Sequence, residues 1–365
     1  MARAARLRAD LPLPPACVPL VNQADEELVR FLRVQRRAFD PDDAGVLLLF
    51  DELERIVASG GKRLRPLFCL LGHRAAGGAF DDRAIRAASA LELLHTFAIV
   101  HDDVMDRSPT RRGRPASWVH FAEQHRAEGL RGSPEGYGTS AAVLLGDLAL
   151  VLADAALLAS GFGGPALSAA LERYARMRTE VVAGQYLDVL AAHRGAADER
   201  EARRIAVLKS GGYTVEAPLQ IGALLAGADG ELLAVLSRYG VALGEAFQLR
   251  DDVLGVFGDP AVTGKDRDSD LREGKRTLLV ARAAAAASPD DRRFLEDRLG
   301  APDLSAEEIE RARALLESTG ALGSTLSLVG DLVDRAKGTL ATADLPGEAA
   351  DLLRAMADLV AVRRL

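Results

Sequence analysis

Apolar residues recur at helical spacing along most of the chain, and this periodicity predicts an all-α protein. In ADEELVRFLRVQRRAF, the apolar residues Leu28, Phe31 and Leu32 stand between charged ones at the spacing of one helical face. RAIRAASALELLHTFAIVHDDVMD continues the same pattern over a longer and more apolar segment. No useful length of chain alternates apolar and polar residues as a half-buried strand would. We therefore expect a single-domain bundle of ten or more helices.

Proline, glycine and polar residues interrupt this pattern in a few places. Four prolines in residues 1–20 predict a flexible N-terminal tail, so the helical domain is expected to occupy residues 21–365. Residues 126–140 contain four glycines and a proline, and residues 261–276 are polar and glycine-containing, so we predict a loop in each. ADEREARRIAVLKSGGYTVEAPLQIGALLAG is expected to form one helical stretch between them.

Composition narrows the classes of function. Apolar residues make up 48% of the 365 residues, and the net charge of −7 comes from acidic and basic residues mixed along the chain, without the basic stripe of a nucleic-acid-binding protein. No uncharged apolar stretch of the ~18 residues needed to span a membrane stands out. Because no apolar signal segment follows the N-terminus, we expect a cytoplasmic protein. Cys17 and Cys69 are expected to be ordinary thiols.

The stretch HDDVMDRSPTRRG places several carboxylates close together at the end of an apolar helix. On a helix, Asp102 and Asp106 lie one turn apart on one face, and Asp103 lies about 60° from Asp106. Such charges would repel one another unless a cation offset the repulsion. Convergent carboxylates suit Mg²⁺, which binds a few of them together with waters and substrate phosphates. A second pair, Asp251 and Asp252, is expected to end another apolar helix.

Cationic residues accompany both acidic segments. GGKRLRP (60–66) is a glycine-rich turn with three cations, and Arg111 and Arg112 follow the first acidic segment. Lys209, Lys265 and Lys275 occur near polar or glycine-containing turns. Arginine and lysine bind phosphate oxygens, so carboxylates that hold Mg²⁺ beside such cations point to a diphosphate substrate.

Familiar nucleotide-binding and hydrolase motifs do not occur in the sequence. It contains no GxxxxGK[ST] loop, no GxGxxG after a strand, no HExxH and no GxSxG. An apolar helical bundle with cationic and acidic residues at its rim instead suggests an amphipathic substrate, with an apolar tail and a charged head.

These motifs, in this order, resemble those of the trans-isoprenyl diphosphate synthase (polyprenyl synthetase) family. The resemblance extends from about Leu28 to the last helix. It rests on GGKRLRP (60–66), LLHTFAIVHDDVMD (93–106), RRGRP (111–115), GD (146–147), GQYLD (184–188), KS (209–210), FQLRDDVLG (247–255), TGK (263–265) and DLREGKR (270–276). It implies an all-α homodimer whose helices enclose a deep central cavity, and an enzyme that joins isopentenyl diphosphate head-to-tail to an allylic diphosphate.

The resemblance also implies a set of metal ligands. Asp102 and Asp106 should hold two Mg²⁺ with support from Asp103, and Asp251, with Asp252 nearby, should hold a third. Gly255 stands where many members have a third aspartate, which weakens the third site without removing it.

Substrate-binding and catalytic residues are assigned in the same way. Arg111, Lys209 and Lys265 should bind the allylic diphosphate, and Lys62, Arg65, His95 and Arg112 should bind isopentenyl diphosphate. The resemblance also implies that Ser210, Gln248 and Lys275 contact substrate. It implies a catalytic role for Lys209, Gln248 and Lys265. Gln185, Asp188, Gln248 and Asp270 should lie around the metal or its ligands. Ser210 replaces the usual threonine and keeps the hydroxyl. We expect the proton to leave to the diphosphate rather than to a protein base.

Product length in this family depends on side chains below the first acidic motif. Phe97 lies five residues before Asp102, about 7.5 Å along the helix. A large residue there argues against long-chain products, while the neighbouring Ala98 is small. We therefore expect geranylgeranyl diphosphate, with farnesyl diphosphate as the alternative.

Two other classes of protein, a terpene cyclase and a noncatalytic subunit, fit the sequence less well than a synthase. A terpene cyclase usually has an Asn/Ser/Glu metal triad as its second site and many aromatic residues, whereas this chain has Asp251–Asp252 and only 5% aromatics. A noncatalytic subunit of a heteromeric synthase commonly loses an acidic motif or its cations, and this chain keeps both.

Overall fold

The computed structural model describes residues 13–195, 198–259 and 267–362, and these residues are mostly helical, as the periodicity predicts. Their contacts divide them into two compact units. The first contains Pro15–Leu70 and Ala79–Gly163, and the second contains Leu71–Gly78 and the described residues from Gly164 onward.

The first unit is built from helices and one small hairpin. Its elements are α1 (Cys17–Arg36), α2 (Ala44–Ala58), α3 (Leu64–Ala75, whose last turns belong to the second unit), α4 (Asp82–Met105), strands β1 (Thr110–Arg111) and β2 (Arg114–Pro115), α5 (Ser117–Ala127) and α6 (Pro134–Leu158).

The described residues of the second unit form helices joined by turns and loops. Its elements are α7 (Gly164–Arg194), α8 (Glu199–Ala206), the π-helix π1 (Val207–Glu216), α9 (Ala217–Leu225), α10 (Gly230–Phe257), α11 (Ser269–Arg272), α12 (Leu278–Ala286), α13 (Pro289–Arg298), α14 (Ala306–Ser318), α15 (Ala321–Ala341) and α16 (Gly347–Val362).

Helix α4 is the centre of the first unit. Residues 87–94 are all buried, so this part of α4 is surrounded on every side. α6 packs along α4, and α5 packs on α6. The C-terminal end of α4 carries Asp102 and Asp103. Packing of its apolar part therefore fixes the position of the acidic end.

By length and composition, α6 could cross a membrane. Half of its most apolar window is buried inside the structure, where α6 packs on α4 and α5. A core helix of a water-soluble protein has the same properties, so this is weak evidence for a membrane span.

Two local predictions about the first unit differ from the structure, and one small hairpin was not predicted. Helix α1 begins at Cys17, whereas the helical domain was expected to begin at residue 21. The loop predicted for residues 126–140 is shorter, because α6 begins at Pro134, and Ser133 accepts a hydrogen bond from the Gly136 amide at its N-terminus. Residues 110–115 form a hairpin that is too short for strand periodicity to reveal.

Helices π1 and α10 pack closely at the centre of the second unit. A Cβ atom at Gly244 would lie 2.3 Å from the carbonyl oxygen of Gly211, so only glycine allows the two backbones to approach this far. The single helix predicted across this region is instead divided by ten residues of π-helix, Val207–Glu216. Gly211, Gly212 and the following Pro218, which has no backbone N–H, are the sequence signal for this irregularity.

Candidate active site

The first acidic group lies at the C-terminal end of α4. Asp102 and Asp103 are in the last turn of α4, and Asp106 is its C-cap, with its backbone N–H donating to the Asp102 carbonyl. Asp103 is buried, while Asp102 and Asp106 are partly exposed. The helix places the three carboxylates within about one turn, as predicted from their spacing.

The hairpin after α4 directs its two adjacent arginines to different partners. Thr110 pairs with Pro115 and Arg111 with Arg114, which leaves Arg112 and Gly113 as a two-residue turn. Both turn residues have positive φ, 54° and 69°, as the tight turn of such a hairpin requires. Because Arg111 lies in the strand and Arg112 in the turn, their side chains point in different directions and can contact different groups.

Arg111 contacts the first acidic group directly. Its Nε donates to Asp103 Oδ1 at 2.8 Å, and its Nη2 contacts Asp103 and, at 3.4 Å, Asp102 Oδ2. Arg112 instead donates to the Gly60 carbonyl and, at 3.3 Å, to Ser59 Oγ. Arg111 therefore partly neutralises the acids, while Arg112 is held against the turn of GGKRLRP.

His101 fixes the position of α6 against the acidic end of α4. Its Nε2 lies 2.9 Å from the Val143 carbonyl oxygen and 3.7 Å from Asp147 Oδ1. The ring occupies the space beside Gly146, where a Cβ atom would lie 2.2 Å from two of its atoms. The Gly146–Asp147 motif thus accommodates the histidine that precedes Asp102.

The GGKRLRP turn contains one cation that points inward. Arg63 is buried with a positive φ of 50°. Its guanidinium pairs with Asp25 at 2.5 Å and with Glu92, and it donates to the Val57 carbonyl at 2.6 Å. Burial opposes ionisation, but the carboxylates of Glu92 and Asp25 hold the pKa of Arg63 above its ordinary value. Arg63 therefore ties this turn to α1, α2 and α4.

Lys62 and Arg65 stand on either side of Arg63 and are partly exposed. The charge of Arg65 acts on His95 together with that of Arg112. Sequence reasoning did not assign a role to Arg63 or Glu92. A charge inside an apolar run, as at Glu92, is the signal that could have identified them.

His95 lies among a concentration of positive charge. Burial, together with the charges of Arg65, Arg112, Arg111 and Arg63, lowers the pKa of His95 well below its usual value, so the imidazole is neutral at pH 7. Burial also lowers the pKa of Arg112, to about 10, although Glu92 opposes this shift. Several guanidinium groups held this close are a suitable place for a highly charged anion.

Lys209 is positioned by two features of α7 in the second unit. A Cβ atom at Gly184 would lie 2.5 Å from the Lys209 backbone nitrogen, so this glycine lets α7 and π1 approach. One turn later, Asp188 accepts a hydrogen bond from Lys209 Nζ at 2.6 Å. The GQYLD motif therefore supplies both the close approach and the partner of Lys209. Ser210, the next residue of π1, is partly exposed.

The second acidic group lies within α10, not at its end. α10 continues to Phe257, so the prediction that Asp251–Asp252 ends a helix is wrong. The apolar residues that follow the pair, 253–256, are buried in the second unit and extend the helix. Gln248, one turn earlier, donates to Asp252 Oδ1 at 2.6 Å.

Asp252 carries the largest electrostatic perturbation of this group. Burial, followed by the nearby charges of Asp270, Asp251 and Asp188, raises the pKa of Asp252 to about 7, and the hydrogen bond from Gln248 opposes this change. A carboxyl group among other carboxylates is stabilised in its charged form when a cation binds beside it.

Two further cations of the second unit, Lys275 and Arg276, have protein partners. Lys275 Nζ lies 3.2 Å from Asp270 Oδ1 and 2.5 Å from Glu273 Oε2. Arg276 is buried and donates to the carbonyls of Leu295, Glu296 and Leu299 at the end of α13. Lys265 lies outside the described residues.

The donors present fit Mg²⁺, which takes one or two carboxylates from a protein and completes its coordination with waters and substrate phosphates. Asp102 and Asp106 in the first unit, and Asp251 in the second, are partly exposed carboxylates of this kind. Within the described residues, no three His, Cys, Asp or Glu side chains already form a ligand cluster. That arrangement suits a metal whose remaining ligands arrive with the substrate.

Phe97 and Ala98 lie on α4 before the acidic group, and both are partly exposed. The Phe97 ring meets the His101 ring edge-on, with centroids 4.8 Å apart. Phe97 is therefore held in place by the same histidine that packs beside Gly146.

The chain is similar to known proteins over most of its length. The family model for polyprenyl synthetase matches residues 47–316. The geranylfarnesyl diphosphate synthase of Aeropyrum pernix is 35% identical over 84% of this chain and 92% of its own length. The (2E,6E)-farnesyl diphosphate synthase of Mycobacterium bovis is 34% identical over 83% of this chain and 81% of its own.

A solved structure is similar over almost all of both chains. It is the geranylgeranyl pyrophosphate synthase from Corynebacterium glutamicum in complex with isoprenyl diphosphate and magnesium, which has a TM-score of 0.90 and 36% sequence identity. The alignment covers 94% of this chain and 99% of that one. The names of the three proteins differ in the product that each synthase is named for.

Proposed function

The chain belongs to the polyprenyl synthetase family, and from that premise we propose that it makes geranylgeranyl diphosphate. It is a short-chain prenyl diphosphate synthase, a prenyltransferase that depends on Mg²⁺ and uses isopentenyl diphosphate and an allylic diphosphate.

The observation that most supports this function is the charge distribution of the first unit. Burial and the charges of four arginines lower the pKa of His95, and the acidic group of Asp102 and Asp106 follows at the end of the same helix. Mg²⁺-binding carboxylates and anion-binding cations within one unit match the needs of an enzyme with two diphosphate substrates.

Isopentenyl diphosphate is assigned to the cationic residues Lys62, Arg65, His95 and Arg112. A neutral His95 can donate one hydrogen bond to a phosphate oxygen without adding to the positive charge. Arg112 is held by the Gly60 carbonyl, so its guanidinium is oriented before substrate binds. Arg63, which is turned inward, holds the turn rather than the substrate.

The allylic diphosphate is assigned to Arg111, Lys209 and Lys265, together with Mg²⁺ on the two acidic groups. Asp102 and Asp106 would hold two ions and Asp251 a third. When bound, Mg²⁺ neutralises the charge that develops on the leaving diphosphate. Arg111 and Lys209, which are paired with Asp103 and Asp188, would give up or share these partners when phosphate oxygens arrive.

These assigned residues would promote the condensation of the two diphosphate substrates. The residues around the diphosphate stabilise it as the allylic C–O bond breaks, and the double bond of isopentenyl diphosphate attacks the resulting carbocation. Loss of a proton from the adduct, with the released diphosphate as acceptor, completes the new allylic diphosphate. No protein base is assigned to this step.

Product length is assigned to Phe97. The residue is large and braced by His101, so it resists displacement by a growing chain. Ala98 beside it is small, so the two neighbouring positions do not both block a growing chain. These properties favour geranylgeranyl diphosphate over long-chain products, with farnesyl diphosphate as the alternative.

We also propose a homodimer, supported by the exposed side of α6. Tyr137, Leu144, Val151 and Leu158 are spaced by seven residues and are between 37% and 63% exposed. An apolar stripe with this repeat is suited to pairing with another helix. The proposed partner is a second copy of this chain. Light scattering would test the assembly by comparing the mass of wild type with that of Leu144→Glu. We also propose that the protein is cytoplasmic.

One assay tests the proposed function. The enzyme is incubated with isopentenyl diphosphate, Mg²⁺ and, separately, dimethylallyl, geranyl and farnesyl diphosphate, and the products are separated by chain length. We expect geranylgeranyl diphosphate to predominate. Absence of turnover with every primer would refute the synthase assignment, and predominantly longer products would refute the role of Phe97.

A further inference from the structure

Glu52 is a buried carboxylate that takes no part in the proposed reaction. It lies on α2, and only 2% of the residue is exposed. Burial of a charged group costs free energy unless a countercharge and hydrogen bonds compensate for it. An apolar side chain could fill the same space without that cost, so the contacts of the carboxylate are what its charge must explain.

Both oxygens of the Glu52 carboxylate have partners. Arg55, on the next turn of α2, donates from Nη2 to Oε1 at 2.6 Å and from Nε to Oε2. Ser117 Oγ donates to Oε1 at 2.7 Å, and His120 Nε2 lies 3.6 Å from Oε2. The two-point contact fixes the plane of the Arg55 guanidinium. Because Ser117 and His120 belong to α5, the carboxylate also joins α2 to α5.

Arg55 extends these contacts to the hairpin that carries Arg111 and Arg112. Its Nη2 also donates to the Pro115 carbonyl at 3.2 Å. Pro115 is the last residue of β2, and Ser117 begins α5 two residues later. Glu52 therefore fixes the end of the hairpin at two points, through Arg55 at Pro115 and directly at Ser117.

The hairpin depends on such contacts with its surroundings. Each strand has only two residues, and an isolated two-stranded hairpin is at best marginally stable in water. Before the hairpin, the Ser108 carbonyl accepts a hydrogen bond from Trp118 Nε1 of α5 at 2.9 Å. At its turn, Arg112 donates to the carbonyl of Gly60, two residues after α2. The segment formed by α2 and Gly60 thus holds the hairpin at its turn as well as at its end.

We propose that Glu52 is a positioning residue for Arg111 and Arg112. Through Arg55 and Ser117 it fixes the hairpin, and the hairpin directs one arginine to the first acidic group and the other to the GGKRLRP turn. The inference rests on the proposed function, because it takes these arginines as diphosphate ligands. A small displacement of a group that orients substrate can cost about 100-fold in rate.

Trp118, the only tryptophan of the chain, reports on the hairpin without turnover. It lies in the first turn of α5 and is partly exposed. Glu52→Gln keeps the size of the side chain but, in either orientation of the amide, turns an NH₂ group toward a guanidinium donor. Quenching of Trp118 fluorescence by acrylamide should therefore increase. Glu54→Gln is the matched control on α2, because the charge of Glu54 acts on Arg36 of α1, and it should leave quenching as in wild type.

Steady-state kinetics with isopentenyl diphosphate, at saturating allylic diphosphate and Mg²⁺, tests the action on Arg112. Glu52→Gln should lower kcat/KM by about 10- to 100-fold, mostly through KM, and Glu54→Gln should not. In a double-mutant cycle, Glu52→Gln should lower the kcat/KM of Arg112→Ala by less than about 2-fold, because the arginine that it orients is already absent.

Urea denaturation identifies any variant that fails to fold. If Glu52→Gln does not fold, Ser117→Ala, which removes one hydrogen bond to the carboxylate, replaces it in both measurements. This variant should increase quenching and lower kcat/KM by about 2- to 10-fold, as expected for one hydrogen bond.

The outcomes separate the inference from the proposed function. Unchanged quenching or unchanged kcat/KM in folded Glu52→Gln would overturn the inference and leave the function intact. Equal losses in Glu54→Gln would also overturn it, as would a double variant whose loss is the product of the two single losses, since Glu52 would then act independently of Arg112. Absence of turnover in wild type would instead count against the function, and acrylamide quenching would still decide whether Glu52 fixes the hairpin.

Discussion

Replacement of Arg63 by leucine should strongly destabilise the first unit. Arg63 and Glu92 side chains are each only 3% exposed, and their ion pair lies among α1, α2 and α4. Removal of the guanidinium leaves Glu92 buried without its main countercharge. Breaking a buried pair from one side costs about 3–5 kcal/mol, a large share of the ~5–15 kcal/mol that stabilises a typical protein.

Equilibrium unfolding in urea, followed by circular dichroism, measures this cost. Arg30→Leu is the control, because Arg30 forms an ion pair with Glu27 at the surface, where its side chain is 59% exposed. Loss of such a pair should cost under about 1 kcal/mol. The double variant Arg63→Leu/Glu92→Leu should recover much of the stability, because apolar side chains can replace a buried ion pair.

Two results of the urea unfolding experiment would contradict this explanation. If Arg63→Leu unfolds at the same urea concentration as Arg30→Leu, the buried network does not stabilise the turn. If the double variant is less stable than Arg63→Leu, the unpaired Glu92 charge is not the source of the cost.

Three further predictions concern the site. Phe97→Ala should shift products to longer chains, measured by chromatography, and an unchanged product length would show that another residue stops elongation. Gly146→Ala should lower thermal stability and reduce turnover, because a methyl group would overlap the His101 ring; wild-type values for both would contradict the packing. The pKa of Asp252 is about 7 in the folded protein, whereas its ordinary value is 3.8. Between these two pH values the folded protein binds a proton that the unfolded chain does not. Stability without Mg²⁺ should therefore fall as pH rises from about 4 to about 7. Asp252→Asn should remove this fall and raise the melting temperature at pH 8 in EDTA but not at pH 4; an equal effect at both would exclude titration of Asp252 as its cause.

The sequence alone was sufficient for features that depend on neighbours along one helix. The 3.6-residue periodicity predicts helices, and the all-α class is confirmed. The same geometry brings Asp102, Asp103 and Asp106 within one turn, because four residues make slightly more than one turn of an α-helix. The order of the motifs was enough to identify the family, which the comparisons confirm.

Features that depend on contacts between elements required the tertiary structure. The letters KR in GGKRLRP do not show that Arg63 turns inward, because Asp25 and Glu92 come from distant parts of the chain. Arg111 and Arg112 look equivalent in sequence, but a two-residue turn separates their partners. Gly255 looks like a lost aspartate until packing of α11 places the carboxylate of Asp270 beside it. In each case, periodicity determines where a residue lies on its own helix, whereas packing between elements determines which distant group it meets.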